Sequence, residues 1–283
     1  MPLAVTQLWE RNVLKIKHFK LMSLLGFFIS IACQAGFVEL LPNKTSSYVA
    51  CNTTGLFGLQ ESTVPEIAQK QNDACAVSNE LLLTSPMNAP LEGFNMVGMI
   101  SRGVAPPAPE GNDNEEFATL TDTIWWNKDT KECIFGTHVL MKEAKLSHGE
   151  QWEVNDIVRG GFSGRPVSVA YFMNPKPNAS YGMPEALYRA GRTFTSVSQP
   201  GLPDLKAAPY HEGWVDFTTD VNFDDPDGTT RKMTAMFYIK SKCDQKEPEE
   251  KEGAIRFRTT GQNGQKKLEV VLPGLVPAGA TLD

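Results

Sequence analysis

Lys232-Met-Thr-Ala-Met-Phe-Tyr-Ile-Lys240 is the stretch that decides the fold. Met233, Ala235, Phe237 and Ile239 hold one set of alternate positions, and Lys232, Thr234, Met236, Tyr238 and Lys240 hold the other. A period of two belongs to a strand, whose successive side chains project to opposite faces, and it predicts one apolar face turned inward. Working outward, β-branched and aromatic runs recur at residues 117–126, 133–141, 152–158, 167–172, 193–198, 214–217, 254–260 and 266–272. Turn residues separate them, and Asn263-Gly264 between the last two is a strong hairpin signal. The long amphipathic helices that parallel crossovers require are missing from this half. The expected fold is mainly β, an antiparallel β sandwich or jelly roll over residues 117–283, with an N-terminal segment containing one short helix.

Upstream, the apolar run of residues 21–32 follows Arg11, Lys15, Lys17 and Lys20 and precedes the small residues Ala32, Cys33, Ala35 and Gly36. It reads as an export signal over residues 1–35, too short for the roughly 20 residues of a membrane-crossing helix. Cleavage after Ala35 is preferred to lipid attachment at Cys33, because Ser30 stands where a lipoprotein signal usually carries an aliphatic residue. The expected location is secreted or periplasmic. Residues 36–102 form an N-terminal segment, with a helix expected from Thr63 to Ala76 after the capping Ser62. Three prolines, two glycines and several acids make residues 103–116 a loop or linker, and the acidic run 244–252 reads as a solvated loop.

Of 27 basic and 33 acidic residues, four and one belong to the signal, so 23 basic and 32 acidic remain and the mature net charge is −9. That balance argues against a nucleic-acid partner. Four cysteines remain after Cys33, and an even number in an exported chain points to disulfides. The favoured pairing is Cys51 with Cys75 and Cys133 with Cys243.

Several groups carry possible chemistry. Gly161-Phe-Ser-Gly-Arg-Pro166 resembles the stretch around the nucleophile of chymotrypsin-like serine proteases, but no histidine precedes it at the distance that chemistry needs, and a glycine-rich turn is preferred. Asp220, Asn222, Asp224 and Asp227 place oxygens at alternate positions before Gly228, which suits Ca2+, although an acidic turn is the simpler reading. Tyr188, Arg189, Arg192 and His211 are the candidate catalytic set, since arginine pairs with a uronate carboxylate and tyrosine or histidine can move a proton. Trp125, Trp126, Arg159 and Arg165 are candidate ligand-binding residues. Adjacent tryptophans on a strand face opposite sides, which leaves one as a stacking platform unless another segment covers it. The preferred function is an exported binding or structural module for a glycan, another carbohydrate or a surface protein. The alternative is a secreted, lyase-like enzyme acting on acidic polysaccharide.

Overall fold

The computed structural model describes residues 36–41, 48–52, 74–77, 79–107, 110–111, 115–174, 176, 178–194, 208–224, 230–259 and 267–283. The signal run, Cys33, Asp227, the Asn263-Gly264 turn and most of the helix expected at Thr63 to Ala76 lie outside them. In chain order the elements are β1 (Val38–Glu39), β2 (Tyr48–Ala50), α1 (Glu80–Thr84), β3 (Asn95–Val104), β4 (Ala118–Asn127), β5 (Glu132–Met141), β6 (Glu153–Arg159), β7 (Val167–Phe172), β8 (Arg189–Gly191), β9 (Val215–Asn222), β10 (Met236–Lys242), β11 (Glu249–Arg258) and β12 (Glu269–Val276).

These strands form two six-stranded sheets, ordered β1-β7-β10-β5-β4-β3 and β12-β11-β6-β9-β8-β2. Every pairing between them is antiparallel. The expected β sandwich is the architecture found. Phe135, Val169, Phe237 and Ile239 of the first sheet are buried against Phe217, Ile255 and Phe257 of the second. The rings of Phe217 and Phe237 meet across the interface with centroids 5.4 Å apart.

The stretch 232–240 is buried on both faces, which corrects the expectation of a single inward face. Met236 and Tyr238 lie under a second cluster in which Val77, Leu82 and Phe94 cover Trp125, Ile134 and Phe172. The segment around α1 is this cover. Asn79 caps α1 by accepting the Leu81 N–H at 2.9 Å, and Leu82 is the buried residue of the helix. Trp125 is fully buried beneath it and its Nε1–H donates to the Met87 carbonyl at 3.1 Å. Trp126, on the opposite face of β4, packs partly buried against the main core. Trp125 is therefore not an open stacking platform, and the partly buried Trp126 has the Lys131 ammonium 5.2 Å from its ring centre.

Residues 36–102 extend both sheets. β1 pairs with β7, β2 with β8, and β3 with β4. β3 runs through Gly103 to Val104, past the expected start of the loop, because Val104 still pairs with Ala118; Pro106 and Pro107, which have no N–H to donate, follow directly. Of the strand expected at 193–198, Thr193 and Phe194 are described and are not strand; the strand here is β8, which ends upstream at Gly191, where the buried Arg192 turns its guanidinium to loop carbonyls. The acidic run does not stay a loop: β11 begins at Glu249, pairing with Val276 of β12 while its acids stay exposed. At the end of the stretch expected to be helical, Ala76 is extended and bridges Tyr171.

Cys51 and Cys75 are bridged, with Cα atoms 4.9 Å apart, and Cys133 and Cys243 likewise, with Cα atoms 5.6 Å apart. This is the pairing favoured from the sequence. Two disulfides fit an oxidising compartment. No helix among the described residues is long and apolar enough to cross a membrane.

Candidate functional site

β9 alternates Val215, Phe217, Thr219 and Val221 with Asp216, Thr218, Asp220 and Asn222, and the first set faces the core. The second set therefore lies on the outer face of its sheet, where sequence logic expects solvent. Instead the whole strand is buried. Register places Arg189, Thr218, Asp156, Arg258 and Glu269 side by side across β8, β9, β6, β11 and β12. The neighbouring row holds Tyr48, Gly191, Asp216, Val158, Arg256 and Val271.

At the β2 end of these rows the polar groups engage one another. The Tyr48 hydroxyl donates to Asp216 Oδ2 at 2.5 Å. The Arg189 guanidinium lies 3.8 Å from the centre of the Tyr48 ring, and its Nε donates to Thr218 Oγ1 at 3.0 Å. Burial pushes the Asp216 carboxyl up to about 6, while the Tyr48 hydrogen bond and the charges of Arg189 and Arg258 pull it down. The Tyr48 hydroxyl is pushed well above its ordinary value by burial and then by the charge of Asp216, so it is a fixed donor and not a base.

The Asp216 shift has a consequence for stability. Its folded pKa exceeds the value of about 4 for an unfolded chain, so between the two the folded protein keeps a proton that the unfolded chain has lost. This contribution is present below pH 4 and is lost as pH rises to 6. Urea midpoints across pH 4–7 are expected to fall more steeply for the parent chain than for Asp216→Asn. Parallel curves for the two would refute the assignment.

Towards β11 and β12 the same face opens. The half-buried Phe194 ring packs edge to face on Trp214, with centroids 4.7 Å apart. The Arg256 and Arg258 guanidiniums lie 4.9 and 4.6 Å from the Phe194 centroid. Both arginines are held by Glu269, through Arg256 Nη1 at 2.6 Å and Arg258 Nε at 2.5 Å. Among the described residues Arg256 Nε has no hydrogen-bond partner. Two hollows adjoin at Phe194. One, of about 410 Å³, is bounded by Trp214, Glu252, Arg256 and Asp283, and the other, of about 290 Å³, by Arg258, Lys267 and Glu269.

The residues singled out from the sequence do not share one cleft. Arg159 points between the sheets, 2.9 Å from Asp122. Arg165 is near the surface and donates to the Lys242 carbonyl at 2.9 Å. Arg192 ties two loops together by donating to the carbonyls of Phe162, Arg165 and Glu212. The Tyr188 side chain is buried against Tyr48. His211 accepts the Gly213 N–H at Nδ1, 3.2 Å away, and its ring centroid is 6.1 Å from that of Phe194. Of these, Arg189 and His211 border the polar rows and the groove.

Ser163 occupies the expected turn, in which Gly164 has φ +70° and donates its N–H to Glu212 Oε1 at 2.7 Å. Ser163 Oγ and the His211 ring approach Gly213 from two sides: a Cβ there would lie 2.6 Å from the hydroxyl and 3.7 Å from Cε1. Among the described residues no hydrogen bond joins the two. Of the calcium candidates, Asp227 lies outside the described residues and the other three are spread along the chain. Asp220 and Asn222 belong to β9, Asp220 accepts from Asn155 Nδ2 at 3.0 Å, and Asp224 is exposed. Strand residues two apart are separated by about 6–7 Å along the chain, which spreads these oxygens instead of wrapping them. Among the described residues no group of three His, Cys, Asp or Glu side chains is placed to hold a metal.

No family model, curated protein or solved structure matches the chain. The reading of the site therefore rests on its geometry. Phe194, Arg256, Arg258, Tyr48 and Asp216 were not singled out from the sequence. A signal for two of them exists: Arg256 and Arg258 alternate with Ile255 and Phe257, so the core positions of that strand put both arginines on its other face.

Proposed function

We propose that the chain is an exported β-sandwich binding module, secreted or periplasmic, that takes a saccharide in the groove beside Phe194. The observation that supports this is the pair of hollows meeting at one aromatic ring, with carboxylates and cations interleaved around them. A sugar hydroxyl both donates and accepts, so a wall of Glu252, Arg256, Glu269 and Lys267 suits it better than a wall of one charge. Phe194 supplies the apolar surface for the ring face. The two disulfides, together with the export signal expected at residues 1–35, support the compartment.

A glycan array, followed by calorimetry on the best neutral and uronate-containing oligosaccharides, tests this. Phe194→Ala is expected to weaken binding at least tenfold with the fold retained, equivalent to about 1.4 kcal/mol. Arg256→Ala is expected to weaken uronate oligomers more than neutral ones, because only the former offer a carboxylate to the guanidinium. An array without a hit, or hits unaffected by Phe194→Ala, overturns the proposal.

A further inference from the structure

A second cavity, of about 400 Å³, opens on the other sheet at the end of its covered outer face. Its apolar wall includes Met87, Phe172, Met233 and Met236. Met87 comes from the segment after α1, Phe172 ends β7, Met233 precedes β10 and Met236 opens it. Methionine adapts to irregular apolar shapes and is favoured where a surface must accept a guest. The volume falls within the range of about 300–1,000 Å³ usual for small-molecule sites.

The polar wall is one-sided. Asn174, Lys176 and Asn178 belong to it, and among the described residues no Asp or Glu does. Asn174 Oδ1 accepts the Lys176 N–H at 3.0 Å, and Asn178 Oδ1 accepts from Ser180 and Tyr181 at 2.8 and 3.1 Å. With both amide oxygens already engaged, the two amide nitrogens and the exposed Lys176 ammonium are donors left for a guest. His138 of β5 also lines the cavity, where burial pushes its imidazole below the ordinary value and keeps it uncharged at neutral pH, though the backbone of Thr234 and Ala235 favours the charged form. Among the described residues of the wall, Lys176 is then the one charged group.

We infer that this cavity binds a small amphipathic carboxylate, its aliphatic or aryl body among the methionines and its headgroup against Asn174, Lys176 and Asn178. This site is separate from the groove at Phe194, and neither proposal depends on the other. Trp125 is a built-in reporter, since its indole donates to the backbone of Met87 and packs in the same cluster as Phe172 and Met236.

Titration of the full chain with decanoate, below its aggregation concentration, is expected to give a saturable change in tryptophan fluorescence and a matching calorimetric isotherm. Decanol is expected to bind at least tenfold more weakly, and decyltrimethylammonium more weakly still. Lys176→Glu, at an exposed position that does not disturb the fold, is expected to reduce decanoate affinity at least tenfold and leave decanol unchanged. Met233→Trp is expected to fill the cavity and abolish both. No saturable binding by any probe overturns the site. Equal binding of decanol and decanoate, with Lys176→Glu without effect, overturns the carboxylate assignment.

Discussion

Replacing Cys133 and Cys243 together by alanine is expected to lower stability by up to about 5 kcal/mol. The bridge closes a loop across 110 residues of sequence, so in the chain-entropy account it removes more freedom from the unfolded state than Cys51–Cys75, which spans 24 and is expected to contribute about 3.5 kcal/mol. Both Cys133 and Cys243 are fully buried, and the Cys243 N–H donates to the Lys131 carbonyl at 2.9 Å, so the bridge joins strand ends already aligned by the pairing of Ser241 with Cys133. Urea denaturation of the two double-alanine variants beside the oxidised parent gives the comparison. A smaller loss for the long loop than for the short one would contradict the entropic account.

Arg159→Ala is expected to cost about 3–5 kcal/mol, because it strands Asp122 in the sandwich interior. Arg159 Nη2 lies 2.9 Å from Asp122 Oδ1 and donates to the Leu275 carbonyl at 2.8 Å, while Nη1 donates to Thr137 Oγ1 at 2.6 Å. Asp122 Oδ2 accepts the Leu275 N–H at 2.7 Å. One guanidinium thus connects β6 and β12 of one sheet with β4 and β5 of the other. Burial pushes the Asp122 carboxyl up against the pull of Arg159 and the Leu275 amide. Without Arg159 the carboxyl is driven further towards its neutral form, so the loss in Arg159→Ala is expected to shrink from pH 8 to pH 4. The double variant Arg159→Met with Asp122→Leu is expected to recover most of the stability, since an apolar pair removes both desolvated charges. A loss in Arg159→Ala that does not vary with pH and persists in the double variant would show that packing, not stranded charge, is responsible.

Arg159 also shows where the sequence stops being legible. Trp152 and Val154 face the core, and a strict period of two would continue through Asp156 and Val158, leaving Arg159 outside to meet a ligand. The register shifts between Val154 and Asp156, and from there Ile157 and Arg159 take the inward positions. Such an irregularity has no residue signature here, since neither glycine nor proline marks it. Regular strands were readable because their alternation is complete, and the cysteine pairing because two of the four lie in the N-terminal segment and two beside strands. β3 was not readable: as an edge strand with most residues exposed or half-exposed, it carries no clean apolar face. The groove at Phe194 joins residues from β11, β12, the segment before β9 and the end of the chain after β12, a juxtaposition that the sheet order creates.

The order β7-β10-β5 also sets a timetable for folding. β5 and β7 are made early but never touch, because the place between them belongs to a strand that arrives about a hundred residues after β5. Until β10 enters, each presents a bare ladder of N–H and C=O groups, the kind of edge that recruits other chains. Pairings of such long range are slow to find, so these two edges are expected to be among the last to close. Entry of β10 closes them and brings Cys243 to Cys133, so oxidation acts as a latch that falls only after the keystone is in place.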